Sequence, residues 1–187
     1  MTPQPLVNYR DTFKKLLATT PTHGDIAEFG VFGGGATLQL VEEGKWRRVW
    51  AFDTFKGLPQ ECFIAEIDGQ ANLPGKFDIG GVPDILVKDC RIIPMIGRFE
   101  YTLPKILGLT KFELVYVDCD YYKSHHEVFA WLPMFLLPKA GIVFDDYTRL
   151  DGAKRAIDEF TERWDLTLHE QHYTIWDSPK TKKLLSS

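Results

Sequence analysis

The chain has 187 residues, of which 44% are hydrophobic and 26% charged, the size and composition of one domain with its own core. Its formal net charge of -4 and its scattered Lys and Arg residues exclude the basic stripe that binds nucleic acid. There is no run of roughly 18 apolar residues and no secretory signal, so we expect a cytoplasmic protein without a membrane span.

The three cysteines argue against a disulfide framework and against a zinc site. Cys62, Cys90 and Cys119 are widely spaced, odd in number and without a CxxC pair. They are therefore interpreted as free thiols in a reducing compartment.

The first part of the chain predicts a βαβ unit. Residues 1–24 are interpreted as an N-terminal helical segment, with a helix over 6–17 and a break at 20–24, in a single domain that spans 1–187. The unit that follows has a buried strand at 25–31, a helix at 36–43 and a second strand at 48–53. Its right-handed crossover requires parallel strands.

The rest of the chain continues the alternation of strands and helices. Residues 56–87 are rich in Gly, Pro and Asp and predict short helices in a long loop over the carboxyl edge of the sheet. The later elements are strands at 91–96, 112–118, 139–145, 166–169 and 172–176, and helices at 103–107, 124–135 and 152–164. Ser124 and Glu127 are predicted to form a capping box. The pattern predicts an α/β fold, a doubly wound, mainly parallel Rossmann-like sheet with a C-terminal antiparallel hairpin.

The sequence EFGVFGGG at residues 28–35, the glycine loop, predicts a cofactor site. Gly30, Gly33 and Gly34 remove side chains where a ligand approaches the backbone at a helix N-terminus. Asp53 ends the next strand, where a carboxylate accepts hydrogen bonds from both ribose hydroxyls. These features indicate an adenosine-containing cofactor.

Phe32 favours S-adenosylmethionine over NAD as that cofactor. The NAD fingerprint GxGxxG has a glycine where this chain has Phe32, and a pyrophosphate needs close backbone approach there. The loop instead suits a methionine tail, with Glu28 helping to position its ammonium end. An NAD-linked oxidoreductase is the last of the alternatives.

Four acids follow the two most apolar strands. Asp118 and Asp120 end one strand, and Asp145 and Asp146 end the other. Since adjacent parallel strands lie about 4.8 Å apart, these carboxylates can converge on a hard cation such as Mg²⁺. The cation could hold two neighbouring substrate hydroxyls, with Asp120 as the first choice of base. Asp is also common at strand ends as a turn or cap residue, and that interpretation stays open.

These motifs resemble the macrocin O-methyltransferase family, which methylates sugar hydroxyls of macrolide and aminocoumarin antibiotics. The resemblance runs from about residue 25 to 164 in the family's order, and the segment 61–87 departs from it. The matching segments are 28–35, 52–59, 97–104, 117–124, 141–147 and 152–156.

The resemblance implies the class I methyltransferase fold and assigns the site residues. The acids matching Asp118, Asp145 and Asp146 bind Mg²⁺, the one matching Asp120 is the base, and the one matching Asp53 holds the cofactor ribose. Asp118 is also counted among the predicted cofactor-binding residues. The implied activity is O-methylation of a small polyhydroxylated substrate, by a protein of a family that often forms dimers.

Two alternatives to this activity remain. A catechol-type O-methyltransferase also uses a carboxylate-bound Mg²⁺, but its pattern has Asp-Asn where this chain has Asp145-Asp146. A protein of the same fold that binds the cofactor without catalysis is the other.

Overall fold

The described part of the protein is built around one mixed six-stranded sheet. The computed structural model describes residues 8–19, 23–106, 108 and 110–177. The strands are β1 (Asp25–Phe29), β2 (Val49–Asp53), β3 (Ile92–Ile96), β4 (Phe112–Val117), β5 (Leu136–Phe144) and β6 (Tyr173–Ile175). Their order in the sheet is β3-β2-β1-β4-β5-β6. Only β5 and β6 pair antiparallel in this sheet, and the other neighbours are parallel. The predicted doubly wound, mainly parallel architecture is confirmed.

Helices cover both faces of the sheet. They are α1 (Arg10–Thr19), α2 (Gly35–Gly44), α3 (Ala65–Asp68), α4 (Asp84–Lys88), α5 (Phe99–Thr102), α6 (Tyr122–Trp131) and α7 (Asp151–Trp164). Short 3-10 turns lie at Gln60–Cys62, Leu103–Lys105 and Leu132–Met134. Residues 1–7, 20–22, 107 and 109 lie outside the described residues. The start of the predicted first helix, the start of the predicted break and the end of the helix predicted at 103–107 fall among them.

The central strand β4 is buried on both faces, which explains its unbroken apolar sequence. Val115 and Val117 pack with α6 and α7 on one face, and Leu114 packs with α1 and α2 on the other. A parallel strand that is covered on both sides needs apolar residues at every position rather than at every second one. Two separate core layers, one on each face of the sheet, therefore hold the carboxyl ends of the strands in place, and the candidate site lies at these ends.

The predicted capping box at the start of α6 is wrong. The helix begins at Tyr122 rather than Ser124, and the N–H of Tyr122 donates to Oδ1 of Asp68 at 2.8 Å. The cap is thus supplied by an acid from α3, 54 residues earlier in the chain. The helix ends at Trp131, before a 3-10 turn that contains Pro133, because proline cannot continue the helical hydrogen bonding.

Two other predicted elements differ in detail. The helix predicted at 103–107 is instead α5, which begins at Phe99 and runs into a 3-10 turn. The C-terminal antiparallel pairing is confirmed, but the strand predicted at 166–169 is reduced to one bridge between His169 and Tyr173. Leu166 and Leu168 pack against the core layer that includes residues of α7. Residues 166–168 therefore do not pair as a strand in the sheet.

The cysteines and the helices agree with two expectations from composition. Cys62, Cys90 and Cys119 are free thiols. Within the described part of the chain, no helix is long and apolar enough to cross a membrane.

Gly30 allows β1 and β4 to approach each other closely at their carboxyl ends. It has a φ of 88°, and a Cβ at this position would lie 1.8 Å from the carbonyl oxygen of Asp118. Gly33, three residues later, has no positive φ, and a Cβ there would have open space around it, with no described atom within 4 Å. The two glycines therefore differ in what a methyl group would meet.

We predict that Gly30→Ala lowers the free energy of unfolding by at least about 3 kcal/mol, since a backbone clash adds to the cost of a positive φ. Gly33→Ala is the matched control, with a change under about 1 kcal/mol. Urea unfolding of both variants measures the difference. Equal stabilities of the two variants would contradict the close approach at Gly30.

Candidate active site

A cavity of about 1120 Å³ opens at the carboxyl edge of the sheet. It lies where the strand order reverses between β1 and β4, which is where open α/β sheets bind ligands. Its walls come from the glycine loop, the end of β2, the turns after β4 and β5, and a cover segment (residues 71–79). Single small-molecule sites measure about 300–1,000 Å³, so this cavity has room for a cofactor and a substrate side by side.

The glycine loop turns sharply from β1 into α2. Gly30 and Gly34 have φ values of 88° and 82°, and Phe32 also has a positive φ, of 49°. The N–H of Gly34 donates to the carbonyl oxygen of Val31 at 2.9 Å, which closes the turn. Gly33 leaves open space beside the backbone, and both Gly30 and Gly33 line the cavity.

Asp53 holds the glycine loop in place. Its Oδ2 accepts hydrogen bonds from the N–H groups of Val31 (2.7 Å) and Phe32 (2.8 Å), and its Oδ1 accepts one from Phe55 (2.7 Å). A carboxylate has about four lone-pair sites, so these contacts leave capacity for a ligand hydroxyl. The contact of Asp53 with a ribose stays a prediction. Its structural role in holding the glycine loop was not indicated by the sequence.

Glu28 is fully buried and lines the cavity beneath the glycine loop. Its Oε2 accepts a hydrogen bond from Thr37 at 2.6 Å, whereas Oε1 has no hydrogen-bond partner among the described residues. Burial raises the pKa of Glu28 to about 8. A ligand cation at this oxygen would supply the missing partner.

Three carboxylates meet at the acid end of the cavity, and we call them the three-carboxylate group (Asp118, Asp120 and Asp146). Each offers one oxygen, and these oxygens lie within 4.8 Å of one another. Oδ2 of Asp146 is buried without a hydrogen-bond partner among the described residues. Asp118, Asp145 and Asp146 are the predicted metal ligands and Asp120 is the predicted base, so the structure brings the predicted base, rather than Asp145, into this group.

Asp145 lies beside the three-carboxylate group but is engaged elsewhere. Its carboxylate forms an ion pair with Arg149 and accepts a hydrogen bond from the Tyr116 hydroxyl at 3.0 Å. Arg149 also contacts Oδ1 of Asp146 at 2.9 Å. The guanidinium therefore neutralises part of the charge that two adjacent acids place at the end of β5.

Burial raises the pKa values of all three acids, and neighbouring carboxylates add to the effect. Burial, with the nearby Asp146 and Asp120 carboxylates, raises the pKa of Asp118 well above its usual range. Burial and the Asp120 charge raise the pKa of Asp146 to about 7, and burial raises that of Asp120 to about 6. A divalent cation would favour the charged forms of all three.

Several polar residues that line the cavity were not predicted from the sequence. Arg149 lies three and four residues after the acids of β5, a spacing that could have indicated it. Asn72 and Lys76 come from the cover segment, and nothing in their sequence context points to the acids.

His125 and His126, which follow the turn after β4, do not line the cavity. Nδ1 of His125 lies 2.9 Å from the carbonyl oxygen of Tyr121, and burial lowers its pKa to about 4. His126 pairs with Glu159 on α7. Both histidines therefore support α6 rather than the site.

The sheet order, the glycine loop and the cavity together define the class I methyltransferase fold. A family model described as macrocin-O-methyltransferase (TylF) matches residues 4–173 of the chain. This match covers most of the sequence, and the chain belongs to the macrocin O-methyltransferase family. The resemblance seen in the sequence is thus confirmed.

Individual relatives agree with this assignment. Demethyldecarbamoylnovobiocin O-methyltransferase of Streptomyces niveus is 26% identical over 164 residues, and the match covers 76% of this chain and 60% of that protein. The chain thus spans about 60% of the length of this curated relative. The solved structure of the O-methyltransferase NovP is 21% identical, with a TM-score of 0.71 over 90% of this chain and 78% of NovP. The calicheamicin methyltransferase CalS11 is 24% identical, with a TM-score of 0.71 over 89% and 77%. These two structures share the fold.

We predict that Glu28→Gln removes part of the pH dependence of stability. Because burial raises the pKa of Glu28 from 4.5 to about 8, the folded protein keeps a proton there that the unfolded chain releases. Between these values this group's contribution to the free energy of unfolding falls as pH rises, by up to about 1.4 kcal/mol per pH unit. Glu28→Gln should therefore gain stability relative to the wild type from about pH 5 to pH 8.

Urea unfolding across this pH range measures the difference between the two proteins. Glu42→Gln, at an exposed position on α2, is the matched control and should follow the wild type. Parallel curves for Glu28→Gln and the wild type would show that Glu28 is ionised in the folded protein.

Proposed function

We propose that the protein is an S-adenosylmethionine-dependent, Mg²⁺-assisted O-methyltransferase that acts on a hydroxyl of a small, polyhydroxylated, sugar-like substrate. One observation carries the proposal: a buried carboxylate oxygen of Glu28, without a hydrogen-bond partner among the described residues, shares a cavity with the three-carboxylate group. The first feature suits the ammonium of a methionine tail, and the second suits a divalent cation. Membership of the family supports the same activity.

The residues around the glycine loop fit S-adenosylmethionine. Oε1 of Glu28 lacks a partner within the described structure, and a ligand ammonium would satisfy it. Gly33 leaves backbone exposed to the cavity at the start of α2, where a carboxylate is favoured. Asp53 ends β2, one strand further along, and would accept from the ribose. The cofactor supplies an electrophilic methyl group when bound.

The acids at the other end of the cavity fit Mg²⁺. Carboxylate oxygens are the ligands that this cation prefers, and the buried Oδ2 of Asp146 lacks a partner among the described groups. Bound there, the cation would hold neighbouring hydroxyls and lower the pKa of one. We propose Asp118 and Asp146 as ligands, with Asp145 as the third once Arg149 gives up its ion pair.

The chain's own residues would orient the substrate and accept its proton. Asp120 takes the proton of the reacting hydroxyl as the bond from oxygen to the methyl carbon forms and the bond from sulfur to that carbon breaks. Asn72, Lys76 and Arg149 line the same space and offer hydrogen-bond donors to further hydroxyls. The cover segment would reduce access of water, and alignment of the two reactants would contribute up to about 7–11 kcal/mol.

The cofactor prediction can be tested by thermal unfolding with S-adenosylhomocysteine and, separately, with NAD⁺. At 100 times its dissociation constant, S-adenosylhomocysteine should stabilise the protein by about 2.7 kcal/mol, a rise in Tm of roughly 5–10 °C. NAD⁺ should give no rise. Glu28→Gln should bind S-adenosylhomocysteine about tenfold or more weakly, since the ion pair between the carboxylate and the ligand ammonium is lost and only a hydrogen bond to a neutral amide oxygen remains.

Glu42→Gln serves as the control for this experiment, because Glu42 lies on the exposed face of α2. Absence of any shift with S-adenosylhomocysteine would reduce the glycine loop to a structural turn and remove the basis of the proposed function.

The cation prediction can be tested by methyl transfer to sugar diols and to catechols, with Mg²⁺ or with a chelator. We expect transfer to sugar diols only with the cation. Asp118→Asn should lower the rate at least about 100-fold, since a bound cation contributes several kcal/mol. Asp84→Asn, an exposed acid on α4, is the matched control.

Two further variants separate ligand from base. Asp145→Asn should weaken Mg²⁺ binding in calorimetry, whereas Asp120→Asn should bind the cation and lose turnover. Full activity in chelator would overturn the role of the cation, and a preference for catechols would overturn the substrate class.

A further inference from the structure

Hydrogen bonds attach the cover segment to the cavity wall both at its base and nearer its start. At its base, the N–H of Gly75 donates to the carbonyl oxygen of Leu58, and the N–H of Leu58 donates to that of Lys76, both at 2.9 Å. Nearer its start, the side-chain amide of Asn72 donates to Oδ1 of Asp120. The contact of Asn72 joins the cover segment to the turn after β4, which carries Asp118 and Asp120.

Lys76 determines which way the Asn72 amide points. Its Nζ donates to Oδ1 of Asn72 and to the carbonyl oxygen of Ala71, the latter at 3.1 Å. An ammonium group can only donate, so the amide oxygen faces Lys76 and the NH₂ group faces Asp120. The reverse orientation would place two donors together and an oxygen against the carboxylate. The pair therefore delivers a donor specifically to Asp120.

The backbone at Asp120 shows why its side chain needs such a contact. The N–H of Tyr121 donates to the carbonyl oxygen of Cys119 at 2.6 Å, and Asp120 between them has a φ of 57°. A γ-turn with a positive φ at its centre is the rarer and more strained form. Such conformations persist at non-glycine residues when surrounding contacts hold them in place.

We propose that Asn72, oriented by Lys76, is a positioning residue that fixes the carboxylate of Asp120 and links closure of the cover segment to the proton acceptor. The amide occupies Oδ1 of Asp120 and leaves Oδ2 for the proton of the substrate hydroxyl. The inference rests on the proposed function, because the role of Asp120 in methyl transfer belongs to that proposal.

The kinetic test compares Asn72→Ala, Lys76→Met and a control on the same segment, Leu73→Ala, whose side chain is exposed. We expect Asn72→Ala and Lys76→Met to lower kcat about tenfold, equivalent to about 1.4 kcal/mol, with the dissociation constant of S-adenosylhomocysteine unchanged. Leu73→Ala should behave like the wild type. In an Asp120→Ala background, which is expected to lose turnover, the measured quantity is hydrogen exchange of residues 71–79, and Asn72→Ala should cause no further rise, since it acts through Asp120. An equal rise in both backgrounds overturns the proposal.

Hydrogen exchange of the protein alone provides a readout that does not depend on turnover. Peptides that cover residues 71–79 should exchange faster in Asn72→Ala and Asp120→Ala than in the wild type, and at the wild-type rate in Leu73→Ala. If the wild type transfers no methyl group, the proposed function fails, while faster exchange in these variants still supports the contact. Equal exchange in the wild type and Asn72→Ala overturns the positioning role.

Discussion

Two walls of the cavity, the glycine loop and the turn after β2, depend on the carboxylate of Asp53. One oxygen accepts from the N–H groups of Val31 and Phe32 and so holds the glycine loop. The other accepts from the N–H of Phe55 and so holds the turn after β2. Hydrogen bonds to a charged acceptor are shorter and stronger than neutral ones, and these three measure 2.7–2.8 Å. A residue expected only to bind ligand thus also builds the site.

The turn held by Asp53 determines where the cover segment can lie. The hydroxyl of Thr54 donates to the carbonyl oxygen of Gly57 at 2.9 Å, and Gly57 has a φ of 75°. A Cβ at Gly57 would lie 2.6 Å from the carbonyl oxygen of Gly75, so only glycine lets the chain return this closely. The same return places Asn72 against Asp120. The glycine loop, the turn after β2 and Asp120 are therefore linked through hydrogen bonds and a close backbone approach rather than through the core.

Much of the fold and part of the site follow from local sequence patterns. Apolar runs such as β4 predicted buried parallel strands, and acids directly after β4 and β5 were predicted to converge because parallel strands end at one edge. The contacts made by distant residues were not predictable. Asp68 caps α6 from 54 residues away, and Asn72 reaches Asp120 from a segment without periodicity. Such side-chain hydrogen bonds depend on tertiary placement, which residue spacing does not encode.

The acids at the end of the cavity oppose folding rather than stabilise the fold. Buried like charges oppose folding unless they are protonated or paired, and the pKa of Asp146, raised to about 7, reflects that cost. Arg149 compensates for Asp145 and Asp146 and partly offsets the raised pKa of Asp118, whose carboxylate also accepts from the Tyr116 hydroxyl at 3.4 Å. Lys76 lies behind Asn72 near Asp120. A core that needed only to fold would replace these acids with apolar groups. The presence of these acids together, with one oxygen unpartnered in the described structure, fits the cation site proposed above.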